Sequence, residues 1–266
     1  MLDKLKWALT VPVSSVLGYI YLNIASKKKD NPIWPGVISN RKVLIVGTGP
    51  SIDRVSHEYY KKFDVIVYIN DAISFLDKDK ESFFFTTDIG VLKKISKKEY
   101  YSNILELKPG RVIVAPIFFQ QFLFLDKEMK DKFNFIKPSS VNYILGLSNR
   151  SLFFGRVRIP NPPKMWPKQP DDRDFTKWLE SEHQVSYFPV IESTSALSAI
   201  LFCAKYYPEN ISLIGCDFGG GRAEVLQKHM HCHDENMFSQ AIPKFNQIRN
   251  FLNSVNISVE NDSWKY

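Results

Sequence analysis

Lys42-Val-Leu-Ile-Val-Gly-Thr-Gly-Pro-Ser51 is an apolar run that passes straight into a turn with glycines at 47 and 49, and the rest of the chain is read outward from it. Short apolar runs bounded by turn residues read as buried strands. The candidates are Val65 to Ile69, Phe83 to Thr86, Val112 to Ala115, Val185 to Phe188, Ile211 to Ile214 and Ile257 to Val259. Longer amphipathic stretches, notably Ala196 to Tyr207, fill most of the gaps as helices. Strands alternating with helices predict an α/β fold: a single Rossmann-like domain with a parallel sheet flanked by helices, over residues 40–266. Asn31-Pro-Ile-Trp-Pro-Gly ahead of it reads as a linker. Arg156, Arg158, Pro160, Pro162, Pro163, Trp166, Pro167 and Pro170 crowd one stretch, which excludes a helix or a central strand. That stretch reads as a Pro-rich lid around residues 150–185.

A chain of 266 residues with 44% hydrophobic content has a real core, which excludes intrinsic disorder. Its net charge of +7 favours an anionic partner: a phosphorylated small molecule, an acidic lipid surface or nucleic acid. Basic residues are not interleaved with aromatics along one groove, and Phe83, Phe84, Phe85, Phe118 and Phe119 stand in core-like runs, so nucleic acid is set aside. Cys203, Cys216 and Cys232 have no paired spacing, which points to a reducing cytoplasm. Within residues 1–30, Leu2, Leu5, Leu9, Val13, Val16, Leu17, Ile20 and Ile24 form a helical stripe with lysines at both ends. The stripe predicts an amphipathic helix that lies on an anionic membrane surface, peripheral on the inner face of the cell membrane, or else one that packs on the domain. Lys93-Lys94-Ile-Ser-Lys97-Lys98 reads as the solvated face of another helix.

Three features carry chemistry. In the first, Gly47 and Gly49 let backbone amides approach a ligand, and a helix starting near Ser51 would turn its positive end toward phosphate or carboxylate. The third glycine of the dinucleotide fingerprint is missing, and Asn70 and Asp71 follow the second strand in place of a ribose-binding acid, which disfavours a nicotinamide enzyme. In the second, Thr194 and Ser195 open the helix at Ala196, where hydroxyls cap the helix or hold an anion. Asp217 ends a buried strand, where ligands of open α/β sheets bind.

The stretches Val43-Leu-Ile-Val-Gly-Thr-Gly-Pro-Ser51, Phe63-Asp-Val-Ile-Val-Tyr-Ile-Asn70, Thr194-Ser195 with its helix, and Ile214-Gly-Cys-Asp217-Phe218 resemble, in this order, the bacterial sialyltransferases of glycosyltransferase family 42, which use CMP-sialic acid. The resemblance covers about a quarter of the chain. It implies an inverting transfer without an obligatory metal, with Gly47, Thr48, Gly49, Asn70, Thr194 and Ser195 lining a CMP-sugar pocket; Asp217 joins them as a donor-binding candidate. The chain departs from the family at Ala196, where the family has Gly, and at Thr86-Thr-Asp88, where it has a donor-binding Asn. It also has Gly219-Gly-Gly221 where the family has a tyrosine that holds the phosphate, and no tyrosine stands between Gly219 and His233. Leaving-group stabilisation then falls to Arg222, Lys228 or a lid arginine, or the donor is another CMP-activated acidic sugar.

The third feature is Lys228-His229-Met-His231-Cys-His233-Asp234, the densest titratable cluster in the chain. It reads as solvated histidines, as a divalent-metal site, or as the source of a general base, for which the resemblance implies a histidine in this stretch. His233 is preferred and His231 is the runner-up, because Asp234 can cap a following helix whose positive end would keep the His233 ring neutral. The expectation is a glycosyltransferase that moves sialic acid or a related nonulosonic or ulosonic acid from its CMP donor to a surface glycan or glycolipid, as in bacterial lipopolysaccharide or capsule biosynthesis. Alternatives are a non-catalytic nucleotide- or glycan-binding module and a zinc hydrolase built on His229, His231 and His233.

Overall fold

The computed structural model describes residues 33–86, 91, 94, 100–114, 125–135, 147–148, 151–152, 194–219, 221–229, 238 and 241–266. Five strands come first: β1 (Lys42–Val46), β2 (Val65–Ile69), β3 (Glu81–Thr86), β4 (Val112–Val114) and β5 (Phe133–Phe135). A two-residue hairpin follows, β6 (Leu147–Ser148) against β7 (Ser151–Leu152), and then β8 (Asn210–Ile214) and β9 (Ser258–Asn261). Seven of these form one sheet in the order β5-β4-β3-β2-β1-β8-β9, with every neighbouring pair parallel. The expected Rossmann-like α/β fold is therefore present. The chain reverses direction across the sheet between β1 and β8, the switch point outside which open α/β sheets bind ligands.

Parallel central strands are covered on both faces, which is why their sequences are continuously apolar rather than alternating. All five residues of β2 are buried. Side chains nevertheless alternate between two cores. Val43, Ile45, Val67, Phe83 and Phe85 join Ile38 of α1 (Ile33–Ile38) and the helices α5 (Ser195–Ala204) and α6 (Ala241–Ser254) on one face, while Leu44, Val46, Ile66, Tyr68 and Phe84 join Tyr59 of α2 (His57–Lys61), Ile104 of α3 (Tyr101–Glu106) and Met129 of α4 (Lys127–Lys130) on the other. The three consecutive phenylalanines of β3 are fully buried, each contributing roughly 1.5–3 kcal/mol of transfer free energy. α5 is apolar apart from Ser195 and Ser198, and all ten of its residues are buried, as suits a helix in the middle of a layer. It ends at Ala204, short of the expected Tyr207, which has turned to a left-handed φ of 51°.

Three expectations are corrected. Residues read as a linker form α1 (Ile33–Ile38), so the folded domain starts before the first strand. Proline at the third helical position loses no intrahelical bond, and the helix is anchored by fully buried Ile38 and by Trp34, which packs against the core. Its ring stands edge-on to Phe202 at 5.1 Å and its Nε1 donates to the Gly110 carbonyl at 3.1 Å. The helix expected near Ser51 is a five-residue 3-10 helix, Pro50–Arg54. Lys94 does not face solvent: its side chain is 23% exposed and bonded to Asp71. β5 was not anticipated at all, and the expected strand Val185 to Phe188 lies outside the described residues, as do the N-terminal stripe and most of the Pro-rich lid.

Candidate functional site at the carboxyl edge of the sheet

The register aligns Val46 of β1 with Tyr68 of β2 and Ile214 of β8, so the segments after these strands emerge side by side. α5 returns to the amino edge: Asn40 N–H donates to the Tyr207 carbonyl and Glu209 N–H to the Arg41 carbonyl, both at 2.9 Å. Ten helical residues span ~15 Å, about the length of a five-residue strand, so Thr194 and Ser195 start α5 at the carboxyl edge. Gly47, Thr48, Gly49, Asn70, Thr194, Ser195 and Asp217 therefore share one edge of one sheet.

The glycine turn is closed by backbone. Gly47 N–H donates to the Ile214 carbonyl at 2.7 Å and Gly49 N–H to the Gly215 carbonyl at 2.8 Å. A Cβ on Gly47 would lie 2.2 Å from the Gly215 oxygen, and one on Gly49 would lie 1.9 Å from Asp217 Oδ2. The glycines are thus needed for the close approach of the β8 loop. Gly215 N–H donates to Ser51 Oγ at 2.9 Å, and the Ser51 hydroxyl donates to Asp217 Oδ2 at 3.0 Å. Asp217 is held within the protein as the clamp of this turn. Burial pushes its carboxyl above the usual range, outweighing the Ser51 hydrogen bonds and the charge of Arg54. The C-terminal segment pins the same loop: Ser263 Oγ accepts from Cys216 N–H and Asn261 Nδ2 donates to the Cys216 carbonyl, both at 2.9 Å.

Asn70 follows β2 directly and takes a left-handed φ of 53°, a conformation asparagine tolerates better than most residues. Its Oδ1 accepts from the Thr86 hydroxyl at 2.7 Å, which ties the end of β2 to the end of β3. Thr194 is the N-cap of α5, accepting from Ala196 N–H at 3.1 Å, while Ser195 is buried in the first turn. Of the two hydroxyls, Thr194 is the cap.

Sequence reasoning did not single out Asp71. It is 3% exposed and collects two cations, Lys94 Nζ on Oδ1 at 2.5 Å and Arg222 Nη1 on Oδ2 at 2.7 Å, with the Tyr100 hydroxyl also donating to Oδ1. Burial alone would raise this carboxyl, but the hydrogen bonds from Lys94, Tyr100 and Arg222 outweigh it and hold Asp71 below the usual carboxylate range. Arg222 follows β8, and its side chain reaches past β1 to the end of β2. Ala223 N–H donates to the Thr48 carbonyl at 3.0 Å, which fixes Arg222 beside the glycine turn. The nearest sequence signal for this group was Arg222, named as one cation that could stabilise a leaving group where the expected tyrosine is missing.

His229 ends the 3-10 helix Glu224–His229, and His231 and His233 lie outside the described residues. Among the described residues no group of three or more His, Cys, Asp or Glu is arranged to hold a metal ion, and no helix is long and apolar enough to cross a membrane. Compared with protein-family models, with curated proteins and with solved structures, the chain matches none.

Proposed function

We propose that the chain is an inverting glycosyltransferase that moves sialic acid or a related acidic sugar from a CMP donor to a hydroxyl of a surface glycan or glycolipid. What supports this reading is that the separate stretches carrying the family 42 resemblance converge on the carboxyl edge beside the β1/β8 switch point. In the donor complex, Thr48 and Asn70 border the nucleotide and the first turn of α5 borders the sugar carboxylate. Oriented N–H groups at a helix start suit an anion. Asp217, already engaged by Ser51, shapes the pocket through the glycine turn rather than by touching the donor.

The transfer is a single displacement. A base, His233 or in its place His231, takes the proton from the acceptor hydroxyl while that oxygen bonds to the anomeric carbon. The bond from that carbon to the phosphate oxygen breaks through an oxocarbenium-like state, and its electron pair leaves with CMP, which cationic groups stabilise. No metal is required by this scheme. Residues 1–30 would hold the enzyme on the inner membrane surface near a lipid-linked acceptor.

The test is release of CMP from CMP-sialic acid with and without acceptor. Slow release that is accelerated by a glycan acceptor is expected, and His233→Ala should lower turnover by roughly 10²–10⁴-fold with donor affinity kept. Binding without any release would reduce the protein to a nucleotide- or glycan-binding module.

A further inference from the structure

We infer that Lys94 and Arg222, held together on Asp71, form the receptor for the phosphate of the nucleotide donor. The inference rests on the donor reading and supplies the group that would stabilise the departing CMP.

The charges do not balance inside the cluster. Among the described residues two cations share one carboxylate, to which the Tyr100 hydroxyl also donates, and one positive charge remains. That charge is shielded from water, since the side chains of Asp71, Lys94 and Arg222 are 4%, 23% and 15% exposed. A partly desolvated excess cation is unfavourable without an anion beside it, and the cluster lies at the sheet edge where ligands bind.

The donors are also available. Among the described residues, Arg222 spends only Nη1, on Asp71, out of the five N–H groups of its fork. Among the same residues Lys94 bonds Asp71 and the Tyr100 hydroxyl, the latter at 3.2 Å, and retains a third N–H. Asp71 acts as a positioning residue: it fixes both cations with opposite oxygens, so neither side chain needs ordering when phosphate arrives. Asp71 follows Asn70 directly, and Arg222 precedes the residue bonded to Thr48, so the cluster adjoins both ends of the donor pocket. A tyrosine would offer one neutral hydrogen bond, whereas a guanidinium offers two parallel charge-assisted ones.

Calorimetric titration of the full chain with CMP and with cytidine separates phosphate from nucleoside. The wild type is expected to bind CMP at least about tenfold more tightly than cytidine. Arg222→Gln and Lys94→Gln should each reduce that ratio by about tenfold or more, with cytidine affinity and melting temperature near wild type. Arg222→Lys serves if Arg222→Gln does not fold, and should retain part of the ratio. Folded variants that keep the wild-type ratio overturn the phosphate receptor and leave the donor reading intact. If AMP or GMP binds in place of CMP and the same variants abolish its advantage over the nucleoside, the donor reading fails and the receptor stands. A wild type that binds no nucleoside monophosphate overturns both.

Discussion

Between β1 and β8 the carboxyl edge of the sheet is closed by backbone, whereas at the end of β2 it carries charged side chains around one buried carboxylate. In the first region Gly47 and Gly49 lie against Gly215 and Asp217, and the polar atoms of Ser51 and Asp217 satisfy one another. In the second, Asp71 is outnumbered by Lys94 and Arg222, and donors are left over among the described residues. The contrast teaches that a glycine turn after a strand can serve packing while the adjacent strand end supplies the charge for a ligand. The closed region is held by backbone and side-chain hydrogen bonds; the charged region is the one proposed to meet the ligand.

Substitutions that intrude on the closed region should have the largest effect on stability. Gly47→Ala forces a methyl group against the backbone oxygen of Gly215, which cannot swing aside, and should cost about 3 kcal/mol in urea unfolding. Gly49→Ala meets the end of the Asp217 side chain and should cost less. Equal effects would mean that the β8 loop yields as easily as a side chain does.

In the charged region Asp71→Asn strands two partly buried cations and should cost about 2 kcal/mol at neutral pH, below the full cost of breaking a buried pair because Lys94 and Arg222 keep some water contact. The two carboxylates should also respond to acid in opposite directions. Asp71 is held below its unfolded pKa, so its contribution is present above the unfolded value and lost as pH falls through the folded one. Asp217 is raised, so its contribution is fully present below the unfolded value and lost as pH rises through the folded one. Unfolding free energies between acid and neutral pH should show the Asp71→Asn deficit shrinking toward acid and the Asp217→Asn deficit growing. Parallel behaviour would erase the distinction between the two regions.

The smallest effect belongs to the start of α5. Thr194→Ala removes the N-cap and should cost ~1 kcal/mol. Ser195→Ala should weaken donor binding more than it weakens the fold, and a lowered melting temperature with unchanged donor affinity would make Ser195 purely structural.

The floor of the site was legible in the sequence and its charge was not. β2 matches its apolar run residue for residue, and β1 follows directly from Lys42-Val-Leu-Ile-Val, because buried parallel strands write themselves as continuous hydrophobics. Three-residue β5, with a polar Asn134 at its centre, leaves no such run. α1 was hidden by Pro35 and Gly36, whose turn character is overridden by the contacts of Trp34. Lys94 was misread for a deeper reason: a lysine among lysines looks solvated unless its partner is known, and Asp71 is 23 positions away, while Arg222 is 151 positions from Asp71. Only the fold brings them together.

The most direct measurement is a calorimetric panel of CMP, UDP, GDP, NAD and ATP on the full chain. Binding of CMP with little response to the others is expected, since the turn lacks the third glycine of the dinucleotide fingerprint and Asn70, bonded to Thr86, stands where a ribose-binding acid would be required. Tight binding of NAD with no response to CMP would contradict the sugar-transfer reading.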